Sequence, residues 1–375
     1  MITEMFISFI ILFALSSIIT NSLYQYSEPK GYEYENVWIA DMWFGKKSEE
    51  AASSPKVIID LLKKNLLSIP DVMAVSNCSD NWPYSMSTNS SSMKYNEVQY
   101  HNLNVFSVDT ELNKALNIDV SDGRWFGKED FGLEKIPIVV NREFKELFFP
   151  DETAVGKELT TGFNADKFKI VGYVENYKIK GELSKTEPMY FRMIRGDHVS
   201  NILVIKTKPG AGKGVEEQLV NALKSIPKDW RINVKKITSY RNLYFKLKLV
   251  PILVLLSVCS FLIINIILGL FGTLLYNINN RKPEIGLRRS IGAPKGMIYQ
   301  QFIGEMLMLT TLGIIPGIIV AIQFPLLKAF EIDTKIFVLA IIYSLAIIYL
   351  LVFIASFIPS RYAAKTEPAI ALHEE

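Results

Sequence analysis

The distribution of apolar positions divides the chain sharply. Four runs are almost purely hydrophobic: residues 5–23, 250–276, 302–325 and 336–358. About 20 such residues cross a ~30 Å hydrocarbon core as a helix, and a helix satisfies its own backbone in lipid. The runs therefore predict four transmembrane helices. The first is preceded by MITE, without lysine or arginine, and no A-x-A follows it, so it reads as an uncleaved anchor and not a signal peptide. Residues 24–247 have mixed charge and many Tyr, Asn and Ser, the pattern of a domain in water.

Inside that domain the periodicity changes repeatedly. Residues 34–45 and 98–109 read as strands, and 78–92 as a loop rich in turn residues. Between them Val57, Leu61, Leu62 and Leu66 fall at helical spacing behind Pro55, followed by a strand at DVMAVS. Residues 198–210 predict a strand. Residues 214–230 predict an amphipathic helix with Val215, Leu219, Val220 and Leu223 on one face. These elements suggest a split α+β lobe, about 24–108 with 198–236. A more β-rich lobe, about 109–197, is inserted in it.

Composition agrees with segregation: 49% of the 375 residues are hydrophobic, 21% are charged, and the mean hydropathy is +0.20. Positive charge in short loops orients the spans. The 277–301 loop holds Arg281, Lys282, Arg288, Arg289 and Lys295 against Glu284, and the tail 359–375 holds Arg361 and Lys365. The loop between the last two spans balances Lys328 and Lys335 against Glu331 and Asp333. Both termini are then expected in the cytoplasm and residues 24–247 outside. A net charge of +3 is too small to point to nucleic acid, and the membrane-flanking loops account for much of it.

Catalytic chemistry is poorly represented. TKPGAGKG (207–214) has Thr207 and Gly214 where a phosphate-binding loop requires Gly and Ser or Thr, so it reads as a turn. His101, His198 and His373 are widely separated, Cys78 and Cys259 lack metal-ligand neighbours, and the carboxylates are scattered among lysines. No metal, bound cofactor or enzymatic activity is expected of this chain.

The basic segment RKPEIGLRRSIGAP (281–294) has its own logic. Pro283 suits the first turn of a short helix, with Glu284 at its positive end. Gly286 and Ser290, four apart, share a face that would admit a close partner backbone, flanked by Arg288 and Arg289. Gly292-Ala293-Pro294 ends the helix. Read alone, the segment is equally a docking helix or a topology signal. Within the spans, Glu305 is a membrane carboxylate, and such groups usually face protein or water. Gly313 and Gly317 have small-xxx-small spacing for helix packing, with Pro316 between them. Asn265 offers an amide to the same subunit or to a second one.

Arg281, Glu284-Ile285-Gly286-Leu287-Arg288-Arg289 and Ser290-Ile291-Gly292-Ala293, leading into a span with Glu305, resemble the signature of MacB/FtsX-type ABC transporter permeases. PSRYAAKTEPAIAL (359–372) is similar to that family's ending. Ile138-Val139-Val140-Asn141, Leu147-Phe148-Phe149-Pro150, Val155-Gly156-Lys157 and Ile170-Val171-Gly172 resemble its periplasmic core domain. The likeness covers nearly the whole chain. It departs from the pattern in its short start before the first span and at Pro283 and Ser290.

The resemblance implies an α-helical membrane protein of the bacterial inner membrane with an extracytoplasmic α+β domain of two lobes. A stalk at 237–250 would lead into a permease domain, 248–375. It implies a permease homodimer or heterodimer on two cytoplasmic ATPase subunits that use ATP and Mg, with a periplasmic adaptor as a candidate partner. Arg281, Glu284, Gly286, Arg288, Arg289 and Gly292 would couple to the ATPase, and Glu305, Gly313 and Gly317 would serve helix packing. Export of a peptide, toxin, antibiotic or lipoprotein by mechanotransmission is the expected function. The spans offer no polar lining for a broad channel. The alternatives are a non-transporting regulator of cell-wall hydrolases and a stand-alone membrane sensor.

Overall fold

The computed structural model describes residues 2–43, 55–161, 166–196, 198–211, 214–224, 230–327 and 332–364. Gly212 and Lys213 of the near-miss phosphate loop, Lys328, Glu331, Lys365 and His373 lie outside them. The chain forms two compact units, Gln25–Leu247 and a second one made of Met1–Tyr24 with Lys248–Glu375.

After helix α1 (Ile2–Ser27) come β1 (Val37–Trp43), α2 (Pro55–Leu67), β2 (Val72–Cys78), β3 (Ser90–Tyr95) and β4 (Val98–Val108). Then follow α3 (Leu112–Leu116), β5 (Asp122–Gly123), β6 (Ile136–Asn141), α4 (Arg142–Phe148), β7 (Glu158–Thr161), β8 (Lys167–Val174) and β9 (Met189–Met193). Next are β10 (Ile202–Thr207), α5 (Val215–Leu223) and β11 (Arg231–Lys236).

One part of the Gln25–Leu247 unit is an antiparallel sheet in the order β11-β1-β10-β2. Helices α2 and α5 bury Ile59, Leu62, Leu66, Val215, Leu219 and Leu223 against its Trp38, Ala40, Leu203 and Ile205. The buried stripe of α2 thus starts from Ile59, and Val57 and Leu61 are exposed, as is Val220 on α5. Spacing alone groups these three with the core. At 100° per residue, Val57 lies about 200° from Ile59, on the far side of the helix.

The other part is a ring. Strand β4 pairs with β3, β3 with β7, β7 with β8, β8 with β6, β6 with β9, and β9 again with β4. Its interior holds Met93, Leu103, Val105, Ile138, Val140, Leu159, Phe168, Ile170 and Tyr190. Phe144, Phe148 and Phe149, from α4 and its end, join that core. The expected lobe boundary near 108/109 is therefore corrected: β3 and β4 precede it in sequence yet complete the ring with strands that follow it. Residues 90–92 are also strand, not loop. Met93 is buried in the ring, and a two-residue turn at Asn96 and Glu97, with φ of +47° and +65°, folds β3 back on β4.

The sheet and the ring meet where Cys78 of β2 pairs with Val108 of β4. One apolar cluster, including Val37, Ile39, Phe106, Val139 and Phe191, runs through both. Asn141 fixes the corner where β6 turns into α4. Its Oδ1 accepts from the amides of Phe144 at 3.1 Å and Met189 at 3.0 Å, and its Nδ2 donates to the Glu187 carbonyl at 2.8 Å.

The remaining helices are α6 (Ile237–Asn280), α7 (Lys282–Ser290), α8 (Lys295–Leu326) and α9 (Thr334–Ala364). Helices α1, α6, α8 and α9 are long and apolar enough to cross a membrane. At 1.5 Å per residue the 44 residues of α6 extend about 66 Å, twice the hydrocarbon thickness, and its helix continues through Pro251. Helix α8 likewise runs on through Pro316.

Candidate coupling site

Short helix α7 follows α6 after one residue. Pro283 and Glu284 occupy its first turn, where a missing amide proton costs nothing and a carboxylate faces unpaired N–H groups. Gly292 adopts φ +98°, a conformation that disfavours any side chain, and the Ala293 amide closes the helix on the Arg288 carbonyl at 3.0 Å.

A polar chain fastens α7 to the start of α8. Arg281 pairs with Glu305 at 2.9 Å, and Gln301 Nε2 donates to the same carboxylate at 3.2 Å. Arg288 donates to Gln301 Oε1 at 2.9 Å and forms an ion pair with Glu284. Glu305 is thus engaged by Arg281. Arg289 donates to the Ala293 carbonyl at 3.3 Å and braces the turn. These half-exposed pairs set geometry more than stability, since exposed ion pairs contribute about 0–1 kcal/mol.

The two small residues of α7 do not share an open face. Gly286 is buried beside Ile285, and α7 packs on α9. Ser290 is exposed and returns its hydroxyl to the Leu287 carbonyl at 2.7 Å. The outward apolar pair is Leu287 and Ile291, which are 53% and 78% exposed and four residues apart. Apolar residues on a short helix ordinarily belong to the core, so the sequence alone does not single these two out.

Gly313 and Gly317 are the points where α8 meets α1. A Cβ at 313 would lie 2.8 Å from Met5 Cβ and 3.0 Å from the Ile2 carbonyl oxygen, and one at 317 would lie 2.5 Å from the Phe9 ring. Phe13 of α1 packs on Phe324 and Phe337 with ring centroids 5.6 and 6.2 Å apart, and Ser344 of α9 hydrogen-bonds Ser16 at 3.2 Å. Asn265 donates to the Phe261 carbonyl of its own helix at 2.8 Å. Helix α6 is the least covered of the four: 11% of its most apolar stretch is buried, against 44% for α1.

Two further joints lie where α1 ends and α6 begins, both on residues 177–184. Lys178 is fully buried. Its Nζ donates to the Gln25 carbonyl in the last turn of α1 at 2.6 Å, and Glu28 lies at 3.4 Å. Burial pushes the lysine's pKa down, and Glu28 opposes that shift. Glu182 accepts from Arg241 of α6 at 2.8 Å and from the Tyr84 hydroxyl at 2.9 Å. Arg241 also lies over the rings of Tyr34 and Phe245, and Trp82 meets Tyr240 edge-on at 4.8 Å. Burial raises the Glu182 carboxyl, but hydrogen bonds from Arg241, the backbone and Tyr84 outweigh it, so its pKa falls below the usual range. In the sequence, KIKGELS looks like any solvated turn. Among the described residues no three His, Cys, Asp or Glu side chains gather as metal ligands.

A family model described as MacB-like periplasmic core domain matches residues 5–225, and one described as FtsX-like permease C-terminal matches 252–368. The chain is 26% identical to a macrolide export ATP-binding/permease protein MacB of Hahella chejuensis, over 76% of this chain and 45% of that protein. It is 23% identical to an uncharacterized ABC transporter permease, YvrN, of Bacillus subtilis, over 95% of this chain and 86% of that one. The chain thus spans about half the length of the macrolide-export relatives it matches. Among solved structures, the periplasmic region of MacB from Actinobacillus actinomycetemcomitans aligns with a TM-score of 0.40 at 15% identity, covering 56% of this chain and 94% of that one.

Proposed function

Because this chain belongs to the family with a MacB-like periplasmic core domain, matched over residues 5–225, and ends in a region similar to an FtsX-like permease C-terminal over 252–368, we propose that it is the membrane subunit of an ABC transporter that works by mechanotransmission. ATP is hydrolysed in a separate cytoplasmic subunit that docks on α7. Both termini are cytoplasmic and residues 24–247 face outward, as the basic 277–301 loop directs. The assembly holds two permeases, and the sparsely covered α6 leaves surface for the second copy or for lipid.

The observation that carries this reading is α7 itself. It is a short helix stapled to α8 by the Arg281–Glu305 and Arg288–Gln301 contacts, and it presents Leu287 and Ile291 outward. Movement of a docked ATPase would pass through that staple to α8 and along α6. Helix α6 carries Arg241 and its contact with Glu182 in the outer domain. The expected outcome is expulsion of a peptide, toxin, antibiotic or lipoprotein already outside the inner membrane, with an adaptor as a further partner.

Co-expression with a cognate ATPase and purification through a tag on the ATPase tests the docking. Wild type should be recovered with it. Leu287→Asp with Ile291→Asp should lower recovery by about tenfold or more, since each buries a charge in an apolar contact. A double variant that co-purifies like wild type would remove α7 from the interface.

A further inference from the structure

We infer that the open end of the six-strand ring in the outer domain is a binding site for the carboxylate end of a short peptide. A side chain two positions along a strand points to the same face, so each strand continues its core layer towards the ring's rim. Beyond Tyr190 on β9 stands Arg192, beyond Val105 on β4 stands Ser107, and ahead of Ile138 on β6 stands Ile136. Asp166 precedes Phe168 of β8 by the same step. All four of these rim residues line one open cavity of about 500 Å³, which Ser79, Asn89, Arg195 and Ser200 also border. Helix α4 leaves from the opposite end of β6, so its phenylalanines plug the far end of the ring. Small barrels are commonly filled in the middle and hold ligands at the mouth.

The chemistry of the rim selects the ligand. Arg192 spends one donor, Nε, on the Ser107 hydroxyl at 3.2 Å, and its two terminal nitrogens have no partner among the described residues. That leaves the planar fork suited to a carboxylate. Arg195 is held by the Leu133 and Lys135 carbonyls at 2.7 and 2.6 Å and adds positive charge, while Asp166 is the one acid of the described lining. Ser79, Asn89 and Ser200 offer polar groups for amides, and Ile136, Ile194 and Val199 form an apolar wall for one aliphatic side chain. A bare inorganic anion would leave both the wall and most of the volume unused. A fatty acid would leave the amide partners unused.

The site involves no step of the coupling reading, because binding needs neither nucleotide nor a partner subunit. The test is calorimetric titration of the purified full-length chain with N-acetyl-seryl-alanyl-leucine, its C-terminal amide, acetate and octanoate. Saturable binding of the free acid is expected, with about tenfold weaker binding of the amide and about tenfold weaker binding to Arg192→Gln. Partial retention is expected in Arg192→Lys. Asn89→Trp, at an exposed rim position, should block the mouth and weaken binding without changing the melting temperature, which keeps the test independent of any effect of Arg192 on folding. No saturable binding, equal binding of acid and amide, unaltered binding in both Arg192→Gln and Asn89→Trp, or acetate or octanoate matching the tripeptide would each overturn the proposal.

Discussion

Gly313→Leu should leave the chain poorly folded in the membrane. The new side chain would start 2.8 Å from Met5 Cβ and 3.0 Å from a backbone oxygen of α1, and the backbone cannot rotate away as a side chain can. Forcing extra methylenes into such a contact costs about 1–3 kcal/mol, and here relief requires α1 to move off α8. The cost extends to the Phe13–Phe324 and Phe13–Phe337 packing and to the Ser16–Ser344 bond. Gly317→Leu should behave similarly, but more mildly, because its obstacle is the Phe9 ring. Thermal unfolding of the purified protein reads the order: wild type, then Gly317→Leu, then Gly313→Leu. A Gly313→Leu protein that melts like wild type would show that the two helices do not pack there.

Glu182→Ala should destabilise the outer domain by about 3 kcal/mol, within the range for breaking a buried pair by removing one member. Arg241 would keep its charge without its carboxylate, and the Tyr84 hydroxyl would lose its acceptor. Glu182→Gln retains an acceptor and should lose less. The pH dependence follows from the depressed pKa of Glu182. The unfolded carboxyl binds protons more tightly than the folded one, so its contribution is complete above the unfolded value of about 4.5 and disappears as pH falls through the lower folded value. Acid melting curves of wild type should therefore converge towards those of Glu182→Gln below that range. Parallel curves at all pH values would show that Glu182 is not charged and paired in the folded state.

The membrane helices were legible because a run of about 20 apolar residues has few other uses. The end of α7 was legible too, since Gly292 before Ala293 and Pro294 is a local signal. The ring was not. Its closure depends on β4 meeting β9, with Asn104 opposite Met189, and on β6 lying parallel to β8. Such pairings leave no trace in the short-range alternation of either strand. Ser90, Ser91 and Ser92 carried turn chemistry into a strand whose inward residue is Met93. The candidate site divides in the same way. Arg281 and Arg288 were visible as charge density, but their partners Glu305 and Gln301 are set by the fold. Lys178 and Gln25 are 153 positions apart, and Glu182 and Arg241 are 59 apart, so neither joint could be read from spacing.

Transmission of nucleotide state from α7 to the outer domain is the core of the account. The most direct measurement is a pulsed electron-spin distance between labels at Val98→Cys in the proposed assembly of two permeases, purified with a cognate ATPase. Val98 is exposed on β4, and the native Cys78 and Cys259 are buried. The distance distribution should shift by several ångström between the nucleotide-free state and an ATP-trapped state, and Leu287→Asp with Ile291→Asp should abolish the shift. Identical distributions in an assembly that binds and hydrolyses ATP would contradict mechanotransmission through this chain.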